Sequence, residues 1–135
     1  MSITVELYEA FDYSDVINVY DEGSVVSYGK GEDRFEEILS GFKTLIDGAH
    51  DMPAFGVSIN SLTTKEMQKG LWVEFGFDQQ YRSNGMPYEK LLVNVQKSFA
   101  GFNIVRYNSD SGYDGRCFYY DLVNKDMSDF YNILR

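Results

Sequence analysis

Residues 71–77 read Leu-Trp-Val-Glu-Phe-Gly-Phe, and this stretch decides the fold class of the chain. Every second residue (Leu71, Val73, Phe75, Phe77) is apolar, and a period of two is typical of a β-strand with one buried face. We therefore predict a strand here, and it is the clearest strand in the sequence. The elements on either side of it are interpreted from the same kind of pattern.

Before this strand the spacing of the apolar residues changes twice. They alternate from Ile3 to Leu7, which predicts a strand, and from Phe35 to Ile46 they recur at the three- and four-residue spacing of an amphipathic helix. Gly48 is a suitable stop for that helix. The elements predicted before residue 71 are a strand over residues 3–8, a loop over 9–15, a hairpin of residues 16–20 and 24–28 around Asp21-Glu22-Gly23, a helix over 35–46, a strand over 55–59 and a short helical turn over 63–68.

After residue 77 the sequence predicts one more helix before the final strands. Pro87 suits a first helical position, and the apolar residues from Tyr88 to Phe99 follow at helical spacing, with Gly101 as the stop. The turn-rich residues 108–115 separate the last two predicted strands. The elements predicted in this part are a helix over residues 87–99, strands over 102–107 and 116–122, and a helix over 127–134 that is capped by Asp126.

The order β-β-β-α-β-β-α-β-β-α indicates an α+β fold with an antiparallel-rich mixed sheet and about three helices packed on it. The chain has 135 residues, which corresponds to one domain over residues 1–135. Its 22 aromatic residues provide enough apolar mass for a proper core, and they argue against disorder.

The acidic residues are concentrated at the start of the chain. The formal net charge is −9, and residues 1–37 hold ten acidic residues against two basic ones, so this segment carries −8 of it. Residues 38–135 are almost neutral. A chain this acidic is not expected to bind nucleic acid or an anionic membrane, whereas it is suited to attract a basic protein.

The single cysteine, Cys117, has no partner for an internal disulfide, which favours a reducing compartment. The N-terminus lacks the basic and apolar regions of a signal peptide, and no apolar run is long enough to span a membrane. We therefore expect a soluble cytoplasmic protein.

Two residue pairs have the side chains for catalysis. His50 is the only histidine, and a dyad with Cys117 would join a loop residue to a distant strand residue, so an exposed histidine and a buried cysteine are the simpler interpretation. Glu74 and Asp121 could form a general acid–base pair, but a solvated outward position is the ordinary outcome for carboxylates on half-exposed strands. No catalytic residue is therefore predicted.

Residues 110–115 (Asp-Ser-Gly-Tyr-Asp-Gly), followed by Asp121, partly match a calcium loop. An EF-hand loop needs Asp or Asn at its third position and Glu at its twelfth, where this chain has Gly112 and Asp121. A hairpin turn explains the same residues. We therefore expect neither a metal site nor a cofactor.

The acidic N-terminal third also contains interspersed tyrosines, among them Tyr28. Tyrosine combines a large apolar ring with a hydrogen-bonding hydroxyl, and carboxylates around such rings steer a basic partner. The alternative is an ordinary solvated acidic surface. The residues predicted to bind a partner are Tyr8, Glu9, Asp12, Tyr13, Asp15, Tyr20, Asp21 and Glu22.

The chain resembles the bacterial immunity proteins that neutralise polymorphic toxins, including those of contact-dependent growth inhibition systems. Residues 70–75 (Gly-Leu-Trp-Val-Glu-Phe), 85–92 (Gly-Met-Pro-Tyr-Glu-Lys-Leu-Leu) and 115–122 (Gly-Arg-Cys-Phe-Tyr-Tyr-Asp-Leu) are similar to segments of immunity proteins for EndoU-type nuclease toxins. The resemblance implies a non-enzymatic inhibitor that binds a basic toxin RNase domain in the cytoplasm. It implies no particular binding residues.

Two other functions remain open from the sequence. An acidic mimic of nucleic acid would block a nucleic-acid-binding protein, and it would need regularly spaced acidic residues. A small-molecule-binding α+β domain would need a pocket, which a sequence does not reveal.

Overall fold

The computed structural model describes residues 2–52 and 56–135, and a large, mostly antiparallel sheet forms its centre. The strands are β1 (Ile3–Thr4), β2 (Val16–Asp21), β3 (Ser24–Gly29), β4 (His50–Met52), β5 (Val57–Ser58), β6 (Leu71–Ser83), β7 (Met86–Val95), β8 (Gly101–Tyr107), β9 (Gly115–Arg116) and β10 (Phe118–Asp121). Seven of them lie in the order β3-β2-β6-β7-β8-β10-β4. β1 pairs in parallel with the far end of β6, and β5 and β9 form a separate two-stranded sheet.

The helices cover the two faces of this sheet unequally. They are α1 (Leu7–Ala10), a 3-10 helix (Phe11–Tyr13), α2 (Asp33–Ile46), α3 (Asn60–Glu66) and α4 (Ser128–Leu134). α1, α2 and α4 enclose the main core on one face, which we call the helical face. On the opposite face Met67, which follows α3, packs with Leu92 and Tyr113 in a smaller cluster. The molecule is an α+β domain, as predicted, and its described residues form four α-helices where about three were predicted.

The clearest sequence patterns are confirmed. β6 contains the predicted strand, and Leu71, Val73 and Phe75 face the core. The helix predicted from Phe35 to Ile46 is α2, and its apolar stripe is buried. The hairpin of β2 and β3 is also present, with its short turn at Glu22 and Gly23, both of which have positive φ. Among the described residues no helix is long and apolar enough to cross a membrane.

The helix predicted over residues 87–99 is wrong, because this segment forms strand β7. β7 pairs with β6 on one side and β8 on the other, and both of its faces are covered. Leu91 and Val93 lie in the main core, whereas Leu92 lies in the cluster on the opposite face. A strand buried on both faces carries apolar residues at odd and even positions alike, which imitates helical spacing.

The strand predicted over residues 3–8 is shortened to β1, and the chain turns helical at Leu7. Leu7, Ala10 and Phe11 are buried, and their spacing of three and four residues is that of a helix facing the core. The loop predicted over residues 9–15 therefore includes helical residues.

The remaining predicted elements are close to the observed ones. In the strand predicted over residues 55–59, Phe55 lies outside the described residues and β5 is shorter. The helical turn predicted over 63–68 is α3, which begins earlier. Asp126 accepts a hydrogen bond from the Ser128 backbone N–H at 3.0 Å, at the start of α4.

Gly101 is the first residue of β8 rather than a helix stop. A Cβ atom at Gly101 would lie 2.9 Å from the backbone oxygen of Tyr120, in the neighbouring strand, and would also meet the Tyr119 ring. We expect Gly101→Ala to lower the free energy of unfolding by about 1–3 kcal/mol, because neither strand can move without breaking its pairing. Urea unfolding measures this change.

Gly41→Ala is the matched control for this prediction. There the added Cβ would come close to the end of the flexible Ile133 side chain, with the Phe130 ring at an ordinary contact distance of 3.5 Å. Alanine also favours the helix by about 0.5–1 kcal/mol. Equal stability of both variants and the unmodified chain would contradict the close strand contact at Gly101.

Candidate functional site

The eight residues predicted to bind a partner do not form one surface. Tyr8, Glu9, Asp12 and Tyr13 lie on α1 and the 3-10 helix, at one end of the helical face. The other group, at the far end of β2 and in the following turn, consists of Tyr20, Asp21 and Glu22. The length of β2 separates the groups by roughly 17 Å.

The predicted residues next to β2 and on it, which are Asp15, Tyr20 and Asp21, have partners inside the molecule. The Asp15 carboxylate accepts a hydrogen bond from the Asp78 backbone N–H at 2.8 Å, and Asp21 forms an ion pair with Arg135 at 3.3 Å. The Tyr20 hydroxyl donates to Glu74. These three residues therefore stabilise the fold, and they are poor candidates for a binding surface.

In the group on the helical face, Lys43 contacts Tyr8 and Asp12. Lys43 Nζ lies 3.6 Å from the centre of the Tyr8 ring, donates to the Tyr8 backbone oxygen at 2.5 Å and pairs with Asp12 at 3.1 Å. Glu9 is exposed, and the exposed Tyr13 ring stacks on Tyr81. Desolvation raises the pKa of Tyr8, and nearby carboxylates raise it further.

Next to Tyr8 lies a cavity of about 520 Å³, which we call the acidic groove. It is formed where α1, the end of α2, β4 and β10 meet. Three of its residues carry carboxylates, and no described lysine or arginine lines it. The residues that define it are Glu6, Tyr8, Asp47, Asp51, Asn84 and Tyr120.

Tyr120 forms part of the base of the acidic groove. Its side chain is only 3% exposed, and it lies opposite Asp51 across the β10–β4 pair. Burial raises the pKa of Tyr120, and the Asp51 and Tyr8 side chains add to this effect.

A second groove, of about 820 Å³, lies between α2 and α4, and we call it the α2–α4 groove. Its one cationic residue, Lys125, donates to the backbone oxygens of Thr44, Leu45 and Asp47 at the end of α2. Lys125 therefore does not pair with the carboxylates of the groove, of which Glu37 forms an ion pair with Arg34. The residues that define it are Glu37, Leu45, Lys125, Asp126, Asp129, Phe130 and Ile133.

The structure brings together neither of the residue pairs that could act in catalysis. His50 is exposed on β4 opposite Asp121, and Cys117 is buried four residues before Asp121, roughly 13 Å along the chain. Burial raises the pKa of the Cys117 thiol, so it stays protonated at neutral pH. Strands β7 and β8 separate Glu74 from Asp121 by roughly 14 Å.

The interpretation of Glu74 as a solvated residue is wrong. Its side chain is completely buried on the opposite face of the sheet, where α3 and the loop before β9 cover it. The carboxylate accepts hydrogen bonds from Asn18 at 3.0 Å, from Tyr20 at 3.1 Å and from Tyr113. We call these four residues the Glu74 network, and because the donors surround the carboxylate it has a structural role.

Residues 110–115 lie in a tight turn, as the sequence predicted. Asn108 and Gly112 exchange backbone hydrogen bonds, and Asp114 accepts one from the Asn60 backbone N–H at 2.5 Å. In residues 2–52 and 56–135 no three His, Cys, Asp or Glu side chains are close enough to hold a metal ion.

Sequence reasoning missed the acidic groove, because its carboxylates come from three separate segments. Glu6 precedes α1, whereas Asp47 and Asp51 belong to the almost neutral part of the chain. The available signal was the pair of aspartates soon after α2, Asp47 in the loop and Asp51 on β4, but only the tertiary structure places them beside Glu6.

Comparison of the chain with family models, with curated proteins and with solved structures found no significant match. Its function must therefore be inferred from the fold and the two grooves.

Proposed function

We propose that this chain is a non-enzymatic inhibitor that binds a basic protein through its helical face, in the manner of an immunity protein bound to a toxin nuclease domain. The observation that carries the proposal is the pair of carboxylate-lined grooves beside α2. The acidic groove has no cationic lining residue in the described chain, and Lys125 in the α2–α4 groove is occupied by backbone oxygens.

Electrostatic steering explains why such a surface suits an inhibitor. Oppositely charged surfaces raise association rate constants from about 10⁵–10⁶ to about 10⁸–10⁹ M⁻¹s⁻¹ at low salt. Rapid capture matters when the target is a lethal enzyme. The exposed ring of Tyr13 adds an apolar contact beside the carboxylates, as is common in protein interfaces.

The first experiment uses the gene immediately upstream, because immunity genes follow those of their toxins. The C-terminal domain of that gene's product is expressed in bacteria with and without this chain. We expect the domain to stop growth and this chain to restore it. If the domain is toxic and the chain neither binds it nor restores growth, the proposal is wrong.

A charge-reversal variant locates the binding surface. We expect the triple variant Glu9→Lys, Asp47→Lys and Asp51→Lys to associate with the partner about 10–100 times more slowly at low salt, with a flatter salt dependence. Stopped-flow kinetics over a salt series measures both quantities.

A second triple variant with the same change in net charge provides the control. Glu22→Lys, Glu66→Lys and Asp110→Lys alter exposed residues away from the helical face. We expect it to slow association much less. Equal slowing by the two variants would mean that total charge, rather than the helical face, governs binding. Binding of DNA-processing proteins in competition with DNA would instead support the nucleic-acid mimic.

A further inference from the structure

Strand β3 forms one edge of the large sheet, and in residues 2–52 and 56–135 no strand pairs with its outer side. β3 has six residues, Ser-Val-Val-Ser-Tyr-Gly, and includes neither a charged residue nor a proline. Its register against β2 runs without a bulge. Proteins usually protect an edge strand from further pairing by short length, charged side chains, proline or a bulge. β3 has none of these protections.

The strand at the opposite edge, β4, is protected in the usual ways. It has only three residues, and two of them are His50 and Asp51. A short edge strand with polar or charged side chains is a poor template for another strand. The edge that is open to pairing is therefore the one at β3.

The backbone groups that β3 directs outward belong to every second residue. Along an antiparallel strand, the N–H and C=O groups of successive residues point alternately toward and away from the neighbouring strand. Lys30 donates to the Asp15 backbone oxygen at 3.0 Å across the hairpin, so the even-numbered residues of β3 bond to β2. The odd-numbered residues Val25, Ser27 and Gly29 therefore direct their N–H and C=O groups outward.

One end of this outward row is already occupied within the chain. The Gly29 N–H donates to the Glu32 carboxylate, and the Gly29 oxygen accepts a hydrogen bond from the Glu32 N–H at 3.1 Å. Val25 and Ser27 each keep one N–H and one C=O for a further strand. These groups have the spacing along β3 that strand pairing requires.

The side chains of β3 favour an apolar strand as the neighbour. Val25 and Val26 are each 52% exposed. Val26 lies opposite Val19, which belongs to the main core, so it is on the helical face, whereas Val25 lies opposite Tyr20 on the other face. β-Branched residues on an added strand would pack against both valines. Such a strand would continue the sheet beside the helical face.

The charge at the Gly29 end of β3 favours a basic occupant. Glu32 contacts Gly29, and Asp33 and Glu36 lie in the first turn of α2; all three acidic residues are exposed. Residues 29–37 carry four acidic side chains and two basic ones. A second copy of the chain would bring the same acidic excess, whereas a basic segment would be attracted.

We propose that β3 receives an extended segment of the basic protein partner, which pairs with the outer side of β3 as an additional antiparallel strand. The backbone groups of Val25 and Ser27 hold this segment, and its side chains give the specificity. Antiparallel pairing places the start of the segment at Glu32, so basic residues precede alternating β-branched ones. This inference rests on the proposed function for the identity of the partner, and it adds the mode of binding.

The first test uses the peptide acetyl-Arg-Lys-Val-Thr-Val-Thr-amide as the probe and amide hydrogen exchange, measured by NMR, as the readout. In the chain alone, we expect the amides of Val25 and Ser27 to exchange much faster than those of Val26 and Tyr28, which bond to β2. Saturating peptide should slow the exchange of Val25 and Ser27 about 10-fold and change that of Val26 and Tyr28 less than about twofold. Absence of binding, or binding without this protection, would overturn the proposal.

A charge control and a backbone control accompany this test. The peptide with glutamate in place of both basic residues should bind at least about 5 times more weakly. Val25→Pro removes an outward N–H and keeps the hydrogen bonds to β2, so we expect peptide binding at least about 10 times weaker. Val25→Thr keeps the N–H and the branched shape, and we expect less than about a threefold change. Equal binding by these two variants would contradict strand addition.

Urea unfolding establishes that Val25→Pro is folded before its binding is measured. If that variant does not fold, the exchange of Val25 and Ser27 in the unmodified chain still decides the question, because that measurement needs no substitution. Protection of these two amides in the chain alone, rising with its concentration, would mean that a second copy occupies β3. That result would overturn the proposal.

The second test repeats the exchange measurement with the partner domain from the upstream gene. We expect the amides of Val25 and Ser27 to exchange at least about 10 times more slowly in the complex. Binding of the domain without this protection would overturn strand addition while leaving the proposed function intact. Failure of the proposed function is distinguishable, because the unmodified chain itself would then not bind the domain.

Discussion

We expect Glu74→Leu to lower the free energy of unfolding by about 3 kcal/mol. The substitution removes the carboxylate that accepts three hydrogen bonds. The side-chain donors of Asn18, Tyr20 and Tyr113 then have no acceptor at this position. Tyr113 is only 6% exposed, so its hydroxyl cannot turn to water without opening the loop above it. Asn18 and Tyr20 are half-buried, so their side-chain donors can form hydrogen bonds to water in the variant, which reduces the loss of stability. Urea unfolding of the variant and the unmodified chain measures the difference.

Two variants control for changes other than the loss of the acceptor. Glu66→Leu makes the same substitution at an exposed position, and we expect a change within about 0.5 kcal/mol. Glu74→Gln keeps the shape and one acceptor oxygen, so its loss should be smaller than that of leucine. If Glu74→Leu were as stable as the unmodified chain, the Glu74 network would not stabilise this fold.

A double-mutant cycle tests the Tyr113 contact within the Glu74 network. Tyr113→Phe removes one donor to a carboxylate, and we expect a loss of about 1.5–3 kcal/mol. In the Glu74→Leu background the same substitution should cost much less, because the acceptor is already absent. Additive losses would mean that the two residues stabilise the molecule independently.

The second large effect is expected in alkali. Burial raises the pKa of five tyrosines, and that of Tyr88 is raised to about 12; the other four are Tyr8, Tyr20, Tyr113 and Tyr120. In the unfolded chain a tyrosine ionises near pH 10. Between pH 10 and the folded-state pKa, the unfolded chain therefore binds fewer protons than the folded one, and stability falls as pH rises.

The slope of this loss is about 1.4 kcal/mol per pH unit for each tyrosine that stays protonated only in the folded state. With several such residues we expect cooperative unfolding between pH 10 and about 12, when tyrosinate absorbance and circular dichroism change together. Stability should vary little between pH 7 and 9 from this cause. Exposed tyrosines such as Tyr13 ionise near pH 10 in either state, so ionisation of all the tyrosines near pH 10 in a chain that stays folded would contradict the prediction.

Tyr88→Phe identifies one contributor to the alkaline transition. It removes a titrating group that is fully buried, so the decline of stability above pH 10 should become shallower by about 1.4 kcal/mol per pH unit. Ser83→Ala is the control, because it removes the 2.8 Å hydrogen-bond partner of Tyr88 and keeps the titrating hydroxyl. We expect it to lower stability without flattening the slope.

The elements predicted correctly from the sequence are those that bury only one face, so that apolar and polar residues recur at a regular spacing. The helix α2 has one buried stripe, and residues 71–77 alternate along β6, so each periodicity is visible in the letters alone. The strand β7 was missed because both of its faces are covered, which removes the alternation. The helical residues from Leu7 to Phe11 were missed because one short turn provides too few positions to establish a period.

The candidate site was predicted only in its general character. An acidic N-terminal segment indicated a basic partner, but sequence position does not show which carboxylates have internal partners. Asp15 and Asp21 are held by the fold, whereas Asp47 and Asp51 gain importance from their position beside Glu6. The burial of Glu74 was missed because its covering residues lie far away in the chain. Long-range packing decides each of these outcomes.

Strand β3 lies at one edge of the sheet, and this position has a consequence for self-association. No described strand pairs with its outer side, and Val25 and Val26 are about half exposed there. An unpaired edge with apolar side chains is a template on which a second copy of the chain can add a strand. The net charge of −9 opposes such an encounter, because two copies repel each other as they approach. The acidity on which the proposed binding of a basic partner depends therefore also disfavours pairing of two copies at β3.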